Sequence, residues 1–561
     1  MEKNSAQRVA APSRRSFLMG TGVVAAGVAA VGLTACSSDE EEDEESTTVT
    51  GDWMPEAWDA EVDILIVGTG AAGLSAAITA ATEDLGSVLI LEAAPEGEGG
   101  GNTRVSGQLL FIPDTAEDAI TYQTALNADY VVEDELMQAW AENLVENYDW
   151  LTDLGADLQE ASSCNPEFPD IDGSDGCHTY LHEGVTGKSR LWEFLMEVAD
   201  DYDCEIQYDS RVVKLVFDPY TKEVYGVQTE DGAYYKANKG VILACGGFEN
   251  NPEMIRNYYT SGYYELMPGG TPYNRGDAIT MCQAIGADFW HMNNYSLSYL
   301  AAAVSEDCPS GSYPSWSSKD YIYVGPNSKR YIYEETSSLS KHGKTLTDGV
   351  YVSSHVPLPQ HVIFGSQAFE AGNIFPDYPY NWPDLVCGKM ASDNQGYVDA
   401  GLIVTADTVA ELAELIGLDP DTLEETVNTY NEYCETGVDL DFGRGEDVYG
   451  NFGGMLDGGT STGEESVVVS GFDLVPLEAP FYAFEEGMTI LNTQGGPKRG
   501  ADGGVLDTEG NAIPRLYTAG ELGCVYSYMY NGGGNVSEAV SSGRLAARSC
   551  GALGSWDASE E

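Results

Sequence analysis

The stretch Val62–Ala81, VDILIVGTGAAGLSAAITAA, decides how the rest of the chain is read. Its first six residues alternate and then run apolar, as a parallel strand buried on both faces does. Gly68, Gly70 and Gly73 follow at once in GTGAAG, and an alanine-rich helical pattern comes next. A second apolar run, SVLILE, ends in Glu92, about 20 residues past the last of these glycines. Strand, glycine turn, helix, strand and acid in this order form a dinucleotide-binding fingerprint. Gly68 makes the tight turn, Gly70 lets a pyrophosphate approach, and Gly73 lets helix pack on strand. The helix N-terminus faces the phosphates, and Glu92 would accept from the ribose hydroxyls. A bare G-x-G-x-x-G is weak evidence, but its full context here is specific.

Working outward, EGGGNTRVSGQ (Glu98–Gln108) places a second glycine-rich loop directly after the acid. Such a pair of loops suits a long, extended cofactor such as FAD. GVILACGGFENNPEM (Gly240–Met254) reads as a buried strand ending in a Gly-Gly turn. No second G-x-G-x-x-G exists for a nicotinamide, so electrons are expected from outside the chain. The α/β rhythm stops near Asp277 and returns at GGVLDTEGNAIPRLYTAGELG (Gly503–Gly523), before a helix over NVSEAVSSGRLAARSC (Asn535–Cys550). Between them, serines, prolines and aromatics dominate, with one clear amphipathic helix in DPDTLEETVNTYNEYCETG, capped by Asp419 or Asp421 and stopped by Gly437. The expected fold is α/β: a Rossmann-like, glutathione-reductase-type FAD domain with an inserted α+β capping domain. Its divisions fall at 57–280 and 485–553 for the FAD domain and 281–484 for the insertion.

The 91 acids against 26 bases give a formal net charge of -65, which excludes nucleic acid as a partner. The acids are spread as a solvated surface, except in SSDEEEDEES (Ser37–Ser46), which reads as a tether over 37–56. Before it, Arg14-Arg15 with Phe17-Leu18 has the twin-arginine export pattern. An uncharged run then leads to LTAC, a lipoprotein box ending at Cys36. Residues 1–36 are thus expected to be a twin-arginine lipoprotein signal, leaving the protein lipid-anchored on the outer face of the cell membrane. This route carries folded proteins, so a cofactor can be loaded first. The other ten of the 11 cysteines show no C-x-x-C and no zinc spacing, so no metal site is expected. Spacing does not address an iron–sulfur cluster built from distant cysteines.

Four segments in order, VGTGAAGLSAA, GGNTRVSG, VILACGGFENNPEM and LYTAGELG with GGGN, resemble the fumarate reductase and 3-ketosteroid dehydrogenase flavoprotein superfamily. The likeness spans nearly everything from Val62 to Ala547, and exported single-flavin reductases of anaerobic bacteria are nearest in style. The resemblance implies FAD in the glycine-marked domain, a cap over the flavin, and hydride transfer between flavin N5 and an activated carbon–carbon bond. It also implies cofactor contacts from Gly68, Gly70, Ala72, Gly73, Glu92, Ala93, Gly101, Asn102, Thr103, Gly107, Val213, Asp277, Asn492, Glu521, Asn535 and Val536.

Departures from the family bear on the substrate. Where fumarate reductases carry the arginine that donates the proton, YEETSS places Ser338; their paired histidines fall on Leu491 and Asn492, and a second arginine falls on Asn531. A desolvated dicarboxylate needs paired cations, so their loss would cost several kcal/mol of binding. In 3-ketosteroid dehydrogenases a Y-x-G-x-G pattern supplies a phenol and a glycine N–H to a carbonyl oxygen. Tyr530 and Gly534 hold that spacing in YNGGG, which implies an oxyanion site. The expected activity is therefore reduction of an enone or α,β-unsaturated lactone, for instance a steroid or a cardenolide such as digoxin. A fumarate- or urocanate-type reductase and a non-catalytic flavin carrier are the alternatives. Tyr333, with Tyr331, Glu334 and Glu335, is a candidate proton donor, while Arg330 reads as structural. A small apolar unsaturated carbonyl substrate and a membrane-anchored cytochrome donor are the implied partners.

Overall fold

The computed structural model describes residues 53–556, apart from 163, 184–189, 260–266, 307, 309, 333, 335–339, 348–349, 354–356, 378–381 and 445–473. The quoted stretch becomes the strand Ala60–Val67 and the helix Ala71–Thr82, separated by the glycine turn. Gly68 sits at φ +105°, in the region that favours glycine, and a Cβ on Gly73 would fall 1.9 Å from the Gly68 carbonyl oxygen. The close helix–strand approach read from the fingerprint is therefore a hard steric requirement.

Ala60–Val67 is the centre of the main sheet. It pairs in parallel with Val88–Leu91 on one side and with Tyr234–Leu243 on the other. Glu205–Gln207 extends one edge in parallel, and Ala512–Thr518 adds to Tyr234–Leu243, also in parallel. Ile64, Leu65 and Ile66 are wholly buried, each worth roughly 1.5–3 kcal/mol relative to exposure. Helix Ala71–Thr82 packs beside the C-terminal helix Gly534–Gly551, whose Ala539, Val540 and Ala546 share its apolar layer. The N-termini of both helices thereby reach the carboxyl ends of the central strands, where open α/β sheets place ligands.

A second, mainly antiparallel sheet has Phe481–Thr493 as its spine, flanked by Gln360–Phe364, Tyr295–Ala301 and Val404–Ala406, with Tyr321–Val324 outside. The helices Val409–Ile416 and Pro420–Thr436 cover it. Asp419, not Asp421, caps the latter, accepting from Thr422 N at 2.9 Å, and Gly437 ends it at φ 75°. Trp316, Tyr321, Phe364 and Phe484 form an aromatic core, with Trp316 and Tyr321 stacked at 4.4 Å. The spine runs across the expected 484/485 division and carries Leu491 and Asn492 to the glycine-marked region. The signal and residues 37–52 of the tether lie outside the described residues; its last four residues are described, and there Trp53 stacks on Tyr225 at 5.3 Å. No helix among the described residues is long and apolar enough to cross a membrane.

Candidate active site

One cavity of about 410 Å³ runs from the glycine turn to the start of the C-terminal helix. At one end, Glu92 is buried and organises the turn. Its Oε2 accepts from Thr69 N at 2.8 Å and from the Thr69 hydroxyl, and its Oε1 accepts from Ala94 N at 2.9 Å. Thr103 Oγ1 accepts from Ala71 N at 3.1 Å, so the second glycine loop is laid across the first helix N-terminus. Arg211 pairs with Asp277 and reaches the Tyr273 carbonyl oxygen at 3.3 Å. Burial raises the Asp277 carboxyl above its usual range against that pairing.

Midway, Asn102 ties the floor together. Its Nδ2 donates to Glu249 at 2.7 Å, to the Leu491 carbonyl at 3.3 Å and to Glu521 at 3.4 Å; its Oδ1 accepts from Thr271 N at 3.1 Å. Glu521 also accepts from Thr493 N at 2.9 Å, and Glu249 from Asn274 at 2.7 Å. Burial pushes both carboxyls up, Glu521 well above its ordinary value, because two neighbouring carboxylates cannot both ionise in a dry site. This pair can hold a proton beneath the cavity.

At the far end Tyr530 is buried, with its hydroxyl 3.2 Å from Ser296 Oγ and 3.4 Å from Asn492 Oδ1. Burial holds this phenol protonated, well above its usual pKa. His342 lies against it, ring centroids 4.1 Å apart. Behind them, Lys344 donates to Asn294 Oδ1 at 3.1 Å and to the Tyr295 carbonyl at 3.2 Å, and burial brings its pKa down to about 7.

Gly68, Gly70, Ala72, Glu92, Ala93, Gly101, Asn102, Thr103, Gly107, Asp277, Asn492, Glu521, Tyr530, Asn535 and Val536 all line this cavity. Three expected residues do not. Gly73 lies beneath the turn it makes possible. Val213 is a correction: it is exposed at an irregularity in the strand Val212–Phe217, where the pairing register shifts between Val212 and Lys214, while Val212 is buried and lines the cavity. Gly534 is the second correction. Its N–H donates to the Asn531 carbonyl at 2.8 Å inside the turn, so it is not aimed at a ligand, and Gly532 and Gly533 supply the backbone wall instead. Tyr333, Glu335 and Ser338 lie outside the described residues. Tyr331 bonds Gln360, and Glu334 is locked by Arg330 at 2.6 Å in a buried network with Asp439 and Arg444, so neither of these two is placed to donate a proton here.

Asn531 is not a cavity residue. Its Oδ1 accepts from Tyr122 and from Glu167 N, both at 2.8 Å, and its Nδ2 donates to the carbonyls of Cys164 and Gly532. It clamps the 164–168 loop onto the glycine run. Among the described lining residues Arg211 is the sole Lys or Arg, and it is paired at the other end.

His342, Ser296, Glu167 and Glu249 escaped sequence reasoning. For His342 a signal exists: SKHGKT puts His-Gly at the tip of a hairpin, where φ values of 55° and 79° mark a two-residue loop. A histidine there, where asparagine or glycine is usual, stands out as a candidate for a role beyond the turn itself.

The geometry fits FAD. Two glycine loops leave backbone bare where a Cβ would intrude, a helix N-terminus opens on each side, and the buried Asn535 Oδ1 has no protein partner. A family description of an FAD binding domain matches residues 63–298 and 338–537. Digoxin reductase of Eggerthella lenta is 25% identical, over 97% of this chain and 98% of that protein. A probable fumarate reductase of Shewanella frigidimarina is 25% identical, over 86% and 74%. A 3-oxosteroid 1-dehydrogenase of Mycobacterium tuberculosis is 27% identical, over 58% and 55%. The structure resembles 3-ketosteroid Δ1-dehydrogenase from Sterolibacterium denitrificans in complex with 1,4-androstadiene-3,17-dione, at TM-score 0.64 and 20% identity over 88% of this chain and 99% of that one. It also resembles the open conformation of a flavocytochrome c3 fumarate reductase, at TM-score 0.63 and 23% identity over 88% and 78%. The chain belongs to the FAD-binding domain family, in the fumarate reductase and 3-ketosteroid dehydrogenase superfamily, and is an FAD-dependent oxidoreductase of the class acting on carbon–carbon double bonds.

Proposed function

We propose that the protein reduces the activated C=C bond of a bulky, weakly charged molecule, an enone or α,β-unsaturated lactone of the steroid or cardenolide kind, with digoxin as the first compound to try. The observation that carries this is the far end of the cavity. A buried phenol, Tyr530, stands there with neutral Asn492 and with His342, whose two nitrogens are taken up by Glu167 and Ser296, and no Lys or Arg lines it among the described residues. A dicarboxylate would be poorly held by such a wall. The full-length likeness to digoxin reductase supports the same reading, and so does the likeness to a dehydrogenase acting on 3-oxosteroids.

The cofactor would be held by Gly68, Gly70 and Thr103 along its phosphates, by Glu92 at its ribose, and by Asn102, Glu521 and Asn535 nearer its reactive end. When bound and reduced, FAD supplies the hydride pair. The chain's own task is the other half of the reaction. The Tyr530 hydroxyl would donate to the substrate's carbonyl oxygen, stabilising charge as it develops there. The buried, apolar walls would exclude water and strengthen that bond. Export by the twin-arginine route, a lipid anchor at Cys36 and a membrane-anchored cytochrome as electron donor complete the proposal. The acidic surface would steer such a donor through its basic patches.

The test is direct. FAD-loaded protein is reduced anaerobically and mixed with a dicarboxylate panel or a panel of steroidal enones and unsaturated lactones. Flavin reoxidation by the second panel alone is the expected result. Reoxidation by fumarate or urocanate overturns the substrate class, and silence with both favours a flavin carrier that has lost catalysis.

A further inference from the structure

We infer that Glu167, His342 and Ser296 form a proton relay that recharges Tyr530, a role that rests on the proposed reading of Tyr530 as the group facing the substrate oxygen. The four residues come from four distant parts of the chain and join end to end. His342 Nε2 is 3.1 Å from Glu167 Oε2, which also accepts from Gly532 N at 2.7 Å. His342 Nδ1 is 3.2 Å from Ser296 Oγ, and Ser296 Oγ is 3.2 Å from the Tyr530 hydroxyl. The Glu167 side chain is fully buried, Ser296 is fully buried, and the His342 side chain is 9% exposed. His342 and Tyr530 line the cavity, so the series runs from a buried carboxylate to the reaction space.

Every link has the right chemistry. A protonated imidazole donates from both nitrogens, and a serine hydroxyl both accepts and donates. Before turnover, His342 donates to Glu167 on one side and to Ser296 on the other. Ser296 then donates to Tyr530, whose own proton points into the cavity. With the hydride pair supplied by reduced flavin, the far carbon of the C=C bond gains a C–H bond and the π pair moves onto the carbonyl oxygen. That oxygen takes the Tyr530 proton and becomes an enol, Tyr530 takes the Ser296 proton, and Ser296 takes one from His342. His342 is left neutral, Glu167 keeps its charge, and the enol returns to the carbonyl form by tautomerisation. His342 regains its proton from solvent through its exposed edge. Without such a relay, each turnover would strand a phenolate in a site whose burial strongly disfavours it.

The position of His342 supports a selected role. It occupies φ 55° at a hairpin tip, a backbone conformation that glycine adopts without strain. Substitution by glycine should therefore leave the hairpin intact, which separates chemistry from folding. Two variants, His342→Gly and Ser296→Ala, are loaded with FAD, reduced anaerobically and mixed with saturating enone. Expected are an unchanged flavin spectrum, a lowered Tm that still reports one cooperative transition because buried partners are lost, about 100-fold slower reoxidation, and little change in the substrate concentration for half-maximal rate. Added imidazole restores the His342→Gly rate but not that of Ser296→Ala. Rates within twofold of wild type in both variants, while Tyr530→Phe is slow, overturn the relay and leave the Tyr530 reading standing. If Tyr530→Phe is also fast, the reading of Tyr530 itself fails. A slow His342→Gly that imidazole does not rescue, with a raised half-maximal concentration, assigns the histidine to shaping the pocket and overturns the relay.

Discussion

The two ends of the cavity are built on opposite principles. The glycine-turn end is made mostly of backbone: bare glycines, a helix N-terminus and the acid Glu92 from the segment 62–108, joined by the Arg211–Asp277 pair. The Tyr530 end is made of hydrogen-bonded polar side chains gathered from residues 167, 296, 342 and 530. The first end has no room for an added atom at Gly68 and Gly73, where it would meet backbone, whereas the second keeps its shape but depends on which protons it holds. Steric failure should therefore be total at one end and chemical failure graded at the other.

The largest effect is expected at the glycine end. Gly73→Val drives side-chain atoms into the Gly68 carbonyl and should abolish FAD loading, read as loss of the visible flavin absorbance in purified protein. Retained flavin would break the contrast outright. Next comes Tyr530→Phe, which keeps the ring and its packing and removes only the hydroxyl. Flavin content should stay normal while reoxidation by enone falls about 100-fold. Asn531→Ala is a test of shape at the same end. It removes a side chain with four hydrogen bonds and leaves buried partners unsatisfied, so a loss of roughly 2–4 kcal/mol by thermal or denaturant unfolding is expected. Asn531→Arg should not create fumarate turnover, because this position faces the 164–168 loop and not the cavity.

The smallest effect concerns the carboxyl pair between the two ends. Glu521 has a folded-state pKa raised by burial and by Glu249. A raised acid contributes stability that is fully present below its unfolded pKa, near 4.3, and is lost as pH rises towards its folded value. Wild-type stability should thus fall between pH 5 and pH 8 relative to Glu521→Gln. A Tm difference between the two that stays constant over that range would show that the pair is not protonated in the folded protein.

The contrast also explains what could be read in the sequence. Gly68, Gly70, Gly73 and Glu92 announce themselves because their roles are local and their spacing is fixed by one turn of chain. The strand ending at Leu243 and the final helix were legible for the same reason, through apolar runs and glycine punctuation. Val213 and Gly534 were misplaced by small geometric facts that a motif does not carry: which way one strand residue points, and which carbonyl one amide finds. Glu167, Ser296 and His342 carry no mutual spacing at all. Only the packing of a loop, a strand and a hairpin tip around Tyr530 brings them together, and single-sequence patterns do not encode that. Asn531 shows the middle case, where an exchange of residue type was visible but its consequence, a structural clamp in place of a ligand, was not.

The strand Phe481–Thr493 is one uninterrupted rod fixed at both ends. One end is pinned in the second sheet by Gln360–Phe364 and Val404–Ala406; the other is pinned by Glu521 through Thr493. A rod held in this way transmits displacement along its length. Tension placed on the second sheet would be felt at Leu491 and Asn492 before any loop had time to absorb it, and filling the cavity would stiffen the sheet in return. Hydrogen exchange at Tyr482–Phe484 should therefore slow when the cofactor is present, though no atom of that segment lines its site.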